Sequence, residues 1–134
     1  MRALVLELLA VPKAVPEVRR TVREHLGVPC PEVQLCVSEL LSNVIRHLGE
    51  GTPVTVRVTQ AGECTRLAVT DPEPYGWLIV RESCPDDENG RGLLLDALAL
   101  RWGVQQEPDG GPGTAGKTVW CAFPRSPYAD ESLT

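Results

Sequence analysis

The sequence predicts a two-layer α/β sandwich, a mixed and mostly antiparallel sheet with its helices on one face. Three observations lead there. Two segments near the start carry helical periodicity back to back. Two later segments alternate apolar and polar residues around a short turn. The order strand, helix, helix, strand, strand, loop, helix, strand, strand lets every helix cover the same side of one sheet.

Residues 2–9 of "MRALVLELLAVP" alternate loosely and read as the first strand. Glu7 interrupts the apolar run and no small-residue cleavage site follows, so the segment does not read as an export signal. Residues 13–26 read as a helix, because Val15, Val18, Val22 and Leu26 recur at spacings of three and four. Gly27-Val28-Pro29 ends it. A second helix spans 31–48: Pro31 suits the first helical position, Val33, Val37, Leu40, Leu41, Val44 and Leu48 form its stripe, and Gly49 and Gly51 close it.

"PVTVRVTQ" places Val54, Val56 and Val58 on one face of a strand, and "CTRLAVTD" is its antiparallel neighbour across the turn "AGE". An irregular stretch from Pro72 to Asn89 is rich in proline and acidic residues, and the pattern leaves its apolar island "YGWLIV" open. A third helix covers 91–101, with Leu93, Leu94, Ala97 and Leu98 inward. "RWGVQQE" and "GKTVWCAFP" form a closing hairpin around "PDGGPGTAG". Residues 1–124 thus make one domain, and the tail 125–134, which has no periodicity, is expected to be disordered.

Composition narrows the function classes. A 134-residue chain with 43% hydrophobic and 23% charged residues is an ordinary globular domain. A net charge of −5 argues against nucleic acid as a direct partner, since neutralising phosphates needs clustered Lys and Arg; a single nucleotide needs only a local site. No run approaches the ~20 apolar residues of a membrane span, so a cytoplasmic location without membrane contact is expected. Cys30, Cys36, Cys64, Cys84 and Cys121 are scattered without CxxC spacing, and neither His25 nor His47 completes a ligand pattern. They read as reduced apolar fillers rather than a disulfide framework or a zinc site.

Chemistry enters with "SELLSNVIRH". Glu39 and Asn43 sit four residues apart, one above the other on the helix. Asn43 lies beside His47 at the flank of the apolar stripe and Glu39 on its polar side, so geometry alone fits a solvated flank as well as a functional pair. Asp71 ends a strand, where a carboxylate is often only a turn-former. Gly90-Arg91-Gly92 opens a helix, where glycine permits close backbone approach and free N–H groups favour an anion. Thr118 follows Gly116-Lys117 at the start of a strand. Each is weak alone.

Together and in order, "ELLSNVIRH", "TD", "GRGL" and "GKT" resemble the motifs of the histidine-kinase-like ATPase superfamily, the fold shared by gyrase and the sensor kinases. The resemblance covers residues 1–124. The short length and the lack of a dimerisation or transducer segment look most like the anti-sigma-factor serine/threonine kinases and the related small regulatory ATP-binding proteins of actinobacteria.

The resemblance implies ATP and Mg²⁺ as ligands and assigns roles. Asn43 would ligate Mg²⁺ bridging the ATP phosphates, a neutral amide oxygen suiting that hard cation. Glu39 would act as general base on the attacking hydroxyl or position it. Asp71 would accept a hydrogen bond from the adenine amino group and so select adenine over guanine. Gly90 and Gly92 would let backbone amides cradle phosphate, Arg91 adding charge, and Thr118 would bond the adenine side directly or through water. Two departures stand out. Glu73, flanked by Pro72 and Pro74, takes the place of the family's usual glycine, which alters the adenine pocket. The segment 83–89, "SCPDDEN", puts acidic residues where the family has its ATP lid.

The activity implied is transfer of the ATP γ-phosphate to a serine or threonine of an antagonist protein in a partner-switching pathway, with a sigma factor as the other partner and a homodimer left open. The alternative is a nucleotide-sensing module that docks such a partner without transferring phosphate.

Overall fold

In the computed structural model, residues 2–72, 98–107 and 116–124 are described. They form strands β1 (Arg2–Ala10), β2 (Thr52–Ala61), β3 (Cys64–Asp71), β4 (Arg101–Glu107) and β5 (Gly116–Pro124), and helices α1 (Ala14–Leu26) and α2 (Pro31–Leu48). The strands make one sheet in the order β1-β2-β3-β5-β4. All four of its pairings are antiparallel, so the expected two-layer α/β fold is present with no parallel pair among the described residues.

Local chemistry explains the elements. α1 buries Val18, Val22 and Leu26, and ends where Gly27 turns left-handed (φ 79°) and its N–H bonds the Arg23 carbonyl. α2 starts on Pro31, whose missing N–H has no intrahelical acceptor there in any case. Gly62 supplies the positive φ of 60° required by the two-residue turn between β2 and β3.

Strand parity divides the sheet into two faces. One carries Leu6, Val56, Leu67, Val69, Val119 and Cys121 and packs with Val22, Val37, Leu40 and Val44 of the helices into a single core. α2 lies over β1, β2 and β3 and also meets α1, which covers β1. The two described helices therefore share one face, as expected.

Neither α1 nor α2 covers the opposite face. There Trp120 lies across Gly103, where a Cβ would stand 2.9 Å from the ring, and the Arg66 guanidinium sits 5.1 Å from the indole centroid. Four cysteines are free among the described residues, and Cys30, Cys36 and Cys121 are buried as the filler reading requires. The hydrogen bond with Cys36, together with burial, pushes the Cys121 thiol up, which keeps it uncharged in the core.

One boundary differs. The helix expected over 91–101 and the strand expected at "RWGVQQE" overlap at Arg101, and Arg101 is the first residue of β4, opposite Ala122. Ladder pairing with β5 overrides the helical spacing that Arg101 shares with Leu98. Residues 91–97 of that helix lie outside the described residues, as do the tail 125–134 and the island "YGWLIV". No described helix is long and apolar enough to cross a membrane.

Candidate functional site

Asn43 is carried on the buried side of α2 at 0% exposure, with Leu40, Leu41 and Val44 buried around it in sequence. This is deeper than the flank position its helical spacing suggested. α2 is the central helix, covered by α1 as well as by the sheet, so its buried sector is wider than one stripe. Both polar atoms of the carboxamide, Oδ1 and Nδ2, are buried without a hydrogen-bond partner among the described residues. An unsatisfied buried amide costs about 1–3 kcal/mol. Folded domains rarely leave one unless something else satisfies it.

Glu39 lies one turn before Asn43, is half-buried, and makes no hydrogen bond or ion pair to another described residue. The helix thus holds a carboxylate and a neutral amide in line along one edge. The chemistry of that pair suits a divalent cation at the amide oxygen and a proton acceptor beside it.

Asp71 ends β3 on the helix-covered face, and its cross-strand partner in β5 is Lys117. The Lys117 ammonium donates to Asp71 Oδ1 at 3.0 Å and lies 2.9 Å from Oδ2. Each side chain is only 1% exposed. The pair is closed from water and bidentate at the carboxylate. Gly116 makes this possible from the backbone side: a Cβ there would stand 2.3 Å from the Asp71 carbonyl oxygen. No side chain fits at that position without pushing β5 away from β3.

Thr118 is not brought to Asp71. Consecutive strand residues point to opposite faces, and the Thr118 hydroxyl lies 2.7 Å from that of Thr70 on the face away from the helices. Gly90, Arg91, Gly92, Glu73 and the acidic stretch 83–89 lie outside the described residues. The residue missed by sequence reasoning is Lys117. Its signal was present but faint, a lysine in a chain with two lysines and eleven arginines, standing at the start of the strand that pairs with Asp71.

A family model for the histidine kinase-like ATPase domain matches residues 8–111. The chain belongs to this family. It is also 51% identical to an uncharacterized protein of Streptomyces coelicolor over a 77-residue alignment that covers 54% of this chain and 72% of that protein. Membership makes this a nucleotide-binding domain of the ATP-binding kind. The residues present fit such a ligand unequally. The orphaned amide of Asn43 fits a metal–phosphate group, whereas Asp71 is already engaged by a cation of its own chain.

Proposed function

We propose that this protein is a small regulatory kinase that binds Mg²⁺–ATP and passes the γ-phosphate to a serine or threonine hydroxyl of a partner protein. The partner class is the antagonist of a partner-switching pair whose other member is a sigma factor. One observation carries the reading: a buried carboxamide without a partner, Asn43, one helical turn after a half-buried carboxylate, Glu39.

Asn43 Oδ1 would hold Mg²⁺, which when bound neutralises phosphate charge. Glu39 takes the proton of the attacking hydroxyl. The hydroxyl oxygen bonds the γ-phosphorus, the bond from that phosphorus to the β–γ bridging oxygen breaks, and ADP leaves. Most of the rate then comes from positioning and charge neutralisation.

Radiolabelled ATP, a candidate antagonist and two variants test this. Asn43→Ala should weaken Mg²⁺-dependent ATP binding. Glu39→Ala should leave binding nearly intact and slow transfer by ~10²–10⁴-fold. Transfer at the wild-type rate by Glu39→Ala overturns the role of Glu39.

A second reading has its own observation. The Asp71–Lys117 pair removes a free acceptor from the base end, which favours a nucleotide-sensing module that docks its partner without transfer. Tight binding of Mg²⁺–ATP by wild type with no labelled product for any partner would favour it.

A further inference from the structure

Adenine selection by an aspartate depends on a carboxylate oxygen that can accept from the exocyclic amino group of the base. In this chain both oxygens of Asp71 already face one N–H donor, the Lys117 ammonium, at 3.0 and 2.9 Å. That donor is charged, so its hold on the carboxylate adds a charge–charge attraction that a neutral base amino group lacks. A base amino group that displaced Lys117 would also strand a buried ammonium, since the lysine side chain is 1% exposed. Exchange is therefore unfavourable on both counts.

The pair is also built to stay. Asp71 and Lys117 are directly opposite in the β3–β5 ladder. The backbone beside them is so close that only glycine fits at 116. At the other end of the candidate site the reverse holds, because the Asn43 amide has both polar atoms buried and unmatched by any described residue.

We infer that Lys117 is a specificity-determining residue that stands in for the base amino group at Asp71, so that the site recognises the Mg²⁺–polyphosphate part of a nucleotide and not its adenine ring. This rests on the nucleotide reading above and names which part of the ligand that site takes. The ligand class is a Mg²⁺-bound triphosphate with little regard to the base.

Calorimetric titration of the full chain with ATP, GTP and inorganic tripolyphosphate, each with Mg²⁺, tests it. Wild type should bind all three with Kd values within about threefold of one another. Lys117→Thr, which removes the ammonium from Asp71, should bind ATP about tenfold or more tighter than GTP, the weight of one hydrogen bond to a charged group, with tripolyphosphate affinity unchanged. The wild-type comparison stands alone should that variant fail to fold. Wild-type preference for ATP over GTP by about tenfold or more overturns the inference and leaves the proposed function in place. A folded Lys117→Thr without gained preference for ATP does the same. Binding of none of the three overturns both.

Discussion

Asn43 and Asp71 are both polar side chains buried on the helix-covered side of the sheet, and the chain treats them in opposite ways. Asp71 is met by a lysine from the neighbouring strand and sealed with it at 1% exposure. Asn43 is buried to 0% and left without a partner among the described residues. The first arrangement engages both carboxylate oxygens with a cation of the same chain and stabilises the fold. The second holds a standing cost among the described residues that a bound ligand would relieve. For the nucleotide site proposed above, this difference would put the open end at α2 and the closed end at the β3–β5 edge.

The largest effect should come from opening the closed end. Lys117→Ala leaves a buried carboxylate without its cation and should destabilise the protein by about 3–5 kcal/mol. Replacing both partners, as in Asp71→Leu with Lys117→Met, should recover most of that loss, since a buried pair exchanged for apolar groups of similar volume is often close to neutral. Urea unfolding of the single and double variants checks this. A Lys117→Ala protein as stable as wild type would show that the pair is not the sealed contact described here.

Gly116→Ala comes next. Its Cβ would collide with the Asp71 carbonyl, 2.3 Å away, and the strands can accommodate it only by separating. A loss of about 1–3 kcal/mol is expected, typical of overpacking at a close contact. Thermal unfolding measures it, and the variant should also gain accessibility at Lys117, read as faster acylation of that amine.

The smallest effect belongs to the sheet face away from α1 and α2. Arg66→Ala removes a guanidinium 5.1 Å from the Trp120 ring centroid. At such a partly exposed site the loss should be about 0.5–1 kcal/mol, with nucleotide binding unchanged. A change in ATP affinity would move part of the site to the wrong face.

Local patterns made most of the fold legible. The helices expected at 13–26 and 31–48 are α1 and α2, because their spacing is written within single segments. The β2–β3 hairpin is equally local, with Gly62 at the turn. Arg101 went to a strand because its environment is set by β5 and not by its own neighbours.

The candidate site divides along the same line. The alignment of Glu39 with Asn43 was readable from a four-residue spacing, but the depth of Asn43 depends on α1 and the sheet closing over α2. The Asp71–Lys117 pair spans 46 positions, so no local pattern reports it. Thr118 was grouped with Asp71 by motif order, yet parity within β5 sends it to the other face once the β3–β5 register is known.

The most direct test of the open end is Asn43→Leu, followed by thermal unfolding with and without Mg²⁺–ATP. Replacing an unsatisfied buried amide by an apolar group of similar size is expected to leave the free protein at least as stable as wild type, within about 0.5 kcal/mol. The same change removes the ligand's contact. Wild type should therefore be stabilised by Mg²⁺–ATP through mass action, by about 2.7 kcal/mol at a hundredfold excess over Kd. Asn43→Leu should show a much smaller ligand shift at the same ligand concentration. A variant that unfolds well below wild type without ligand, or one that keeps the full Mg²⁺–ATP shift, would contradict the assignment of Asn43 as the open end of the site.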